Sequence, residues 1–294
     1  MSVEAGLGKV SQACRAISLN RTSYYKAPNP STRSRTLKTQ IIDLSEDQPR
    51  YGYRRITALI RRSGEEVNPK RVQRVRRQEG LQVRKRQRRT RRLGTGALER
   101  RRASSINEVW SWDFVHDMTE HGSRFRVMSL MDEYTRRCLV LHPGWSLRAK
   151  DVIDILEVAI ATHGCPKHIR SDNGPEFIAY AIQEWLAEQR IGPLYIKPGS
   201  PWEQAYIESF HDKLRDECTN RELFGSLQEA RVILEEWRKV YNEARPHSSL
   251  KYQTPEEFAA FCNPRLRSDS VLPPSGVAKS RGSIKPITNA ELHL

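Results

Sequence analysis

The chain contains no run of ~18 apolar residues, so no stretch of it can cross a bilayer as a single helix. Cysteine is sparse: Cys14, Cys138, Cys165, Cys218 and Cys262 make five, an odd number, and no two form a Cys-x-x-Cys pair. That pattern argues against a disulfide framework or a structural zinc site and fits a reducing compartment. The eight histidines show no metal-ligand spacing either. The opening MSVEAGLGKV has no apolar core of the signal-peptide kind, so a soluble, cytoplasmic protein is expected.

Negative charge is also in short supply. Lys and Arg number 50 against 35 Asp and Glu, a net charge of +15 over 294 residues. A polyanion is therefore the first partner to consider, nucleic acid or an anionic membrane surface. The excess is not spread evenly. Residues 1–105 hold 27 Lys and Arg against 8 Asp and Glu, a net of +19, while residues 106–294 hold 23 against 27, a net of −4. A basic nucleic-acid-binding arm joined to a nearly neutral globular part is the expected organisation, with about two domains for this length.

In the arm, helical patterns cover residues 9–17, 21–26 and 34–46. The stretch YGYRRITALIRRSG then puts Ile56, Leu59 and Ile60 on one face, with Arg54, Arg55, Arg61 and Arg62 elsewhere, and Gly64 ends it. Asn68 is an N-cap and Pro69 a first-turn residue for NPKRVQRVRRQEG, where Val72 and Val75 face inward. Two helices across a short Gly-containing turn, the second rich in Arg, match a helix-turn-helix at about 50–80. Two solvated basic helices are the plainer reading. Residues 84–92, RKRQRRTRR, carry seven basic residues in nine; such a segment is expected to be extended and to lie on DNA phosphates. Arg54, Arg55, Lys70, Arg71, Arg74, Arg84, Lys85, Arg86, Arg88 and Arg89 are the DNA-contact candidates of this arm, taken as residues 1–100 with a basic linker at 84–102.

From about residue 108 the pattern becomes strands followed by helices. Strands are expected at 109–118, 124–132 and 136–142, a helix at 149–164, a strand at 167–172, a helix at 175–190, a strand at 194–198, and helices at 203–218 and 227–243. The fold class is α/β, a mixed sheet flanked by helices over about 106–262, behind an all-α arm. The tail 263–294 is Ser/Pro-rich and expected to be partly disordered.

Three acids stand out. Asp113 lies inside the first core strand, where an unpaired carboxylate costs several kcal/mol unless a cation compensates it. Asp172 ends the fourth strand in SDNGPEF, and Glu208 lies on the helix of PWEQAYIESFHDKLRDE. In that helix Ile207, Phe210 and Leu214 form an inward stripe, and Glu208, Asp212 and Arg215 a separate one. Taken singly, each has a plainer reading: Asp172-Asn173-Gly174 is a strong turn signal, Glu208 one of many solvated helix carboxylates, and Asp113 a partner for an arginine. Together the three make an all-oxygen set that suits two Mg²⁺ ions, or Mn²⁺, for phosphodiester displacement.

Thirty-five residues separate Asp172 from Glu208, and 58 separate Asp113 from Asp172. This resembles the D, D, 35, E signature of retroviral-integrase-like transposases with an RNase H-like core. The blocks YGYRRITALI, NPKRVQRV, WSWDF, SDNGPEF, GSPWEQAYIESFHDKLRDE and YNEARPHSSLKYQTPEEF resemble, more closely, the OrfB product of the insertion-sequence three family.

The resemblance implies that Asp113, Asp172 and Glu208 are the metal-binding catalytic acids and that Arg215 contacts the DNA end. It implies 3′-end cleavage and strand transfer at inverted-repeat ends, on element and target double-stranded DNA. It further implies a homo-oligomeric synaptic complex, an upstream OrfA-type partner or fusion, and a bacterial, nucleoid-associated location. Relatives read PWENG where this chain reads PWEQA, so Gln204 and Ala205 replace an Asn-Gly pair. Trp110, Trp112, Trp185 and Trp237 fall on apolar positions and are expected in the core; Trp202 either packs on a strand end or touches DNA. His247, in RPHSSL, has a role that the residues do not reveal beyond a structural link. A non-catalytic DNA-binding protein would be marked by a lost acid, and a plain RNase H-like nuclease by cutting without joining.

Overall fold

The computed structural model describes residues 10–25, 31–83, 103–171, 180–195 and 205–263. Two compact units divide the chain: Met1–Glu99 with Asp212–Glu222 and Pro246–Gln253, and Arg100–His211 with Leu223–Arg245 and Thr254–Leu294.

The first unit is helical, with α1 Val10–Ala16, α2 Arg21–Tyr25, α3 Thr32–Asp47, α4 Tyr53–Arg62 and α5 Pro69–Gln78. Ser31 caps α3 by accepting from Ser34 N, and Asn68 caps α5 by accepting from Lys70 N at 2.9 Å, with Pro69 in the first turn. Gly64 leaves α4 at φ 87, a backbone region open to glycine at little cost. Leu37 and Ile41 of α3, Ile56 and Ile60 of α4 and Val72 of α5 form one buried cluster with Tyr51 before α4 and Val67 before α5, and Leu59 and Val75 lie at its edge. One arginine of the basic α5 is not at the surface. Arg76 is buried and donates to Tyr51 O at 2.6 Å and Leu81 O at 2.7 Å, bracing the entry to α4 against the exit from α5.

The second unit is built on a five-stranded sheet of order β3-β2-β1-β4-β5. Its strands are β1 Val109–Met118, β2 Arg124–Asp132, β3 Cys138–Gly144, β4 His168–Ser171 and β5 Gly192–Tyr195. β1, β2 and β3 pair antiparallel, and β4 and β5 add in parallel beside β1. This is the mixed sheet of an RNase H-like fold. Helices α6 Ala149–His163 and α7 Tyr180–Glu188 lay Val152, Leu156, Ala159, Ile182, Trp185 and Leu186 on one sheet face, against Trp110, Trp112 and Phe114. Helix α8, Ala205–Leu214, starts in this unit and its last residues, with the π turn Arg215–Thr219 that follows, count with the helical unit; α9 is Leu227–Glu243. α9 is fastened to β3 by Asn242, whose side chain accepts from Cys138 N at 2.9 Å and donates to Cys138 O at 2.8 Å.

β3 starts two residues later than its apolar pattern suggests. Asp132 Oδ1 accepts from Thr135 N and Thr135 Oγ1, and Arg136 follows at φ 65, so the residues before Cys138 form a tight turn. A further helix, α10 Pro255–Cys262, was not anticipated. Thr254 and Glu257 form its capping box, and Phe258 packs on the Tyr134 ring at 5.4 Å. The expectations for residues 84–102, for Asp172 with Asn173 and Gly174, for Trp202 and Gln204, and for the tail beyond Asn263 fall outside the described residues.

Candidate active site

Side chains along β1 alternate between its two faces. Trp110, Trp112 and Phe114 enter the core under α6 and α7, so Ser111, Asp113 and Val115 point the other way. Asp113 pairs across the sheet with Ser129 of β2 and keeps 22% of its side chain exposed. Its Oδ1 accepts from Phe114 N at 2.7 Å. The Ser129 hydroxyl donates to Asp113 O at 2.8 Å and lies 2.7 Å from His211 Nε2. The other ring nitrogen, His211 Nδ1, is 3.6 Å from Asp113 Oδ2. A serine hydroxyl carries one proton, so when it points at Asp113 O the His211 Nε2–H is the donor to Ser129.

The rotation of α8 explains why His211 lies there. Ile207, Phe210 and Leu214 are buried as one stripe, and the Phe210 ring packs edge-on against Trp237 and Tyr241 of α9 at 5.6 and 5.0 Å. At the other end, the Arg136 guanidinium stands 3.6 Å from the Tyr206 ring centroid. With the stripe fixed, His211 falls on the buried flank and Glu208 on the exposed one. Residues three apart on a helix have Cβ atoms roughly 5–6 Å apart, so Glu208 stands one turn from the residue that touches Asp113.

A buried charge network lies on the same side of the sheet. Arg170 Nε is 2.9 Å from Glu133 Oε1, and both side chains are nearly inaccessible. The Ser111 hydroxyl donates to the same carboxylate oxygen. Arg170 pairs with Ser111 in the parallel β4–β1 register, and β4 ends at Ser171, the residue before Asp172. Among the described residues no group of three or more His, Cys, Asp or Glu is arranged to hold a metal ion. Of the three acids singled out in the sequence, the structure therefore brings Asp113 together with the helix that carries Glu208, and Asp172 lies outside the described residues.

Arg215 is exposed but opens the π turn instead of continuing α8, so the i, i+7 alignment with Glu208 does not run through regular helix. In the helical unit Arg54, Lys70 and Arg74 are exposed. Arg55 is largely covered, over the Tyr51 ring at 5.5 Å and 3.9 Å from Glu217, and Arg71 donates to Ser34 Oγ at 2.7 Å. Arg84, Lys85, Arg86, Arg88 and Arg89 lie outside the described residues.

His211, Ser129 and the Glu133–Arg170 pair escaped the sequence reading. A signal for His211 was present: it follows Glu208 by three, the spacing that puts two side chains on adjoining positions of one helix. Nothing comparable marks Glu133 or Arg170, whose partner is supplied by another strand.

Residues 103–201 and 189–255 match the integrase core domain family, and residues 32–89 match the HTH-like domain family. The uncharacterized 31.7 kDa protein of insertion element IS407 from Burkholderia multivorans is 36% identical over 253 residues, 85% of this chain and 90% of that protein. The uncharacterized 39.2 kDa protein of insertion element IS476 from Xanthomonas euvesicatoria is 37% identical over 252 residues, 85% of this chain and 72% of that protein. The putative transposase InsK of insertion sequence element IS150 from Escherichia coli is 26% identical over 263 residues, 83% of this chain and 91% of that protein.

Proposed function

The chain belongs to the insertion-sequence transposases with an integrase core, and from that premise we propose that Asp113, Asp172 and Glu208 are its catalytic, metal-binding carboxylates. The observation that carries the reading is the contact of His211 with Asp113, which sets the helix bearing Glu208 against the strand bearing Asp113. Asp172 follows β4, the parallel neighbour of β1, and the reading requires its carboxylate to turn to the Asp113 side.

The integrase core family is divalent-metal-dependent, and the donor set fits. Carboxylate oxygens alone suit Mg²⁺, with Mn²⁺ as a substitute, and Asp113 and Glu208 are both reachable from solvent. Two such ions, when bound, lower the pKa of the attacking oxygen and neutralise charge on the leaving one. Asp113, Asp172 and Glu208 would hold them. The protein's own part is to hold these carboxylates still, with Ser129 and His211 fixing Asp113.

In the first step a water oxygen bonds to phosphorus at the element end and the 3′ oxygen leaves, taking up a proton to become a free 3′-hydroxyl. In the second, that hydroxyl loses its proton and bonds to phosphorus in target DNA, and a target 3′ oxygen leaves. No covalent enzyme intermediate is needed. Arg54, Arg55, Lys70, Arg71, Arg74, Arg215 and the basic run at 84–89 would serve DNA. The same reading takes residues 1–100 as the DNA-binding region and 106–262 as the catalytic core. It also holds a homo-oligomer that pairs two ends, an OrfA-type partner or fusion, and a cytoplasmic location; no helix among the described residues is long and apolar enough to cross a membrane.

The test is incubation of purified chain with Mg²⁺ and labelled element-end DNA. Strand-joined product supports the reading, cut but unjoined DNA leaves a nuclease, and intact DNA with tight binding leaves a DNA-binding protein.

A further inference from the structure

The segment Pro246–Gln253 belongs to the helical unit although it is remote in sequence. Arg62 Nη2 of α4 donates to Tyr252 O at 3.2 Å, across 190 positions of the chain. The segment is a closed knot: Leu250 N and Tyr252 N both donate to His247 O, at 3.0 and 2.8 Å, and His247 N donates to Gln253 O at 3.0 Å. His247 and Leu250 are buried inside it. Lys251 and Tyr252 follow at φ 55 and 68, consecutive left-handed positions that side chains seldom occupy without being held there. The knot holds them, and it leaves Lys251 exposed.

What it presents Lys251 to is an open groove on the helical unit. Arg54, Arg61, Arg62 and Lys70 line that groove together with Lys251 and Tyr252, and no Asp or Glu is among its described lining residues. Glu65 and Glu66 line the adjoining opening, which shares Arg61, Asn68 and Pro69 with the groove. Arg61 donates to Val67 O, a neutral acceptor, and Arg62 to Tyr252 O. Arg54 Nε donates to the Tyr53 hydroxyl at 3.2 Å, and Tyr53 first, then Tyr252, raise the pKa of this exposed guanidinium.

We propose that Pro246–Gln253 forms one wall of a groove for the DNA backbone, in which Lys251 and, across from it, Arg54 neutralise phosphates. The occupant is the phosphodiester backbone of duplex DNA, because five cations converge on one groove and a polyanion is the complementary partner. The helix-turn-helix alone does not supply this wall. The proposal gives the RPHSSLKY block a role: His247 closes the knot that aims Lys251. It rests on the reading of the chain as a DNA transposase.

The test is fluorescence anisotropy of the full chain on a random-sequence duplex across a salt series. Each phosphate contact adds about 0.9 to the slope of log K against log salt, so Lys251→Ala should lower the slope by about 1 and weaken binding about fivefold near 0.15 M salt. Lys251→Arg should keep both values, and Lys239→Ala, an exposed lysine of α9, should change neither. An unchanged slope in Lys251→Ala, with the parent chain binding normally, overturns the groove and leaves the transposase reading intact. A parent chain that shows no salt-dependent binding overturns both.

Discussion

His211 touches Asp113 with one ring nitrogen and Ser129 with the other, at 3.6 Å to Asp113 Oδ2 and 2.7 Å to Ser129 Oγ. Because the Ser129 hydroxyl also donates to the Asp113 carbonyl, the residue is held at both its carboxylate and its backbone from β2 and α8. Partners of metal-ligating residues typically change metal affinity or activity about 10–100-fold when removed. His211→Ala should therefore raise the Mg²⁺ concentration needed for half-maximal strand joining and lower the rate at saturating metal. His211→Asn, whose amide N–H can still donate to Ser129 Oγ, should recover part of the loss. A lower rate with an unmoved metal dependence would make His211 a packing residue only.

For the acids themselves the expectation is harsher. Asp113→Asn, Asp172→Asn and Glu208→Gln should each reduce cleavage and joining by at least about a thousandfold, the scale of several kcal/mol of transition-state stabilisation. Duplex affinity should change little, since none of the three is a cation. Strand transfer at the parental rate in any one variant removes that residue from the site.

The strand pattern was legible where one face of the sheet is apolar throughout. β1 and β2 begin and end where alternation and the Gly122 turn suggest, and the Ile207, Phe210, Leu214 stripe of α8 is buried as its spacing implies. What escaped the sequence depends on partners far along the chain. Arg76 reads as one more surface cation of a basic helix, yet two backbone carbonyls, Tyr51 O and Leu81 O, draw it inside. Glu133 and Arg170 find each other only because β4 inserts beside β1. The α10 helix is a different kind of miss, because Thr254-Pro255-Glu256-Glu257 is a capping box written in plain residues. As for the proposed catalytic set, the spacing points to Asp113, Asp172 and Glu208, while His211, which ties the Asp113 strand to the Glu208 helix, has no metal-ligand spacing to mark it.

The Glu133–Arg170 pair should behave as a buried ion pair does when broken from one side. Arg170→Met leaves the Glu133 carboxylate buried without its guanidinium partner, and the expected loss is about 3–5 kcal/mol of folding stability. Replacing both residues, as Arg170→Met with Glu133→Gln, removes the stranded charge and should recover a substantial part. Urea melts of the two single variants and the double variant measure the coupling. Additive losses would show that the two side chains do not act as a pair.

His163 supplies a pH dependence with a definite sign. Burial pushes its imidazole from the ordinary 6.5 down to about 4, and the charges of Arg137 and Arg238 act in the same direction. Between those values the unfolded chain binds a proton that the folded chain refuses, so stability rises with pH across that window. The contribution is fully present above about pH 6.5 and is lost as pH falls through about 4. After allowance for partial solvent screening it amounts to about 1–2 kcal/mol. His163→Gln, neutral at every pH, should lose less melting temperature than the parent between pH 7 and pH 4.5. His142, also lowered by burial, leaves the variant some acid sensitivity of the same sign. Parallel melting curves for parent and variant would rule out a half-buried His163 that stays neutral in the folded chain.

The basic run at 84–92 makes a prediction that separates holding DNA from cutting it. Seven cations in nine residues, if laid on phosphates, release up to about six counterions, so their removal should flatten the salt dependence of binding far more than any single substitution. Changing the six arginines and Lys85 to glutamine leaves the three carboxylates untouched. At low salt, where the remaining cations suffice for binding, strand joining per bound complex should stay close to the parental rate; at 0.2 M salt it should collapse because the DNA is no longer held. Binding and joining measured on the same samples distinguish the cases. A flattened slope with normal joining at low salt makes the run an electrostatic tether. A normal slope makes it a solvated connector, and a loss of joining while DNA remains bound would mean that these cations act on the geometry of the reacting ends themselves.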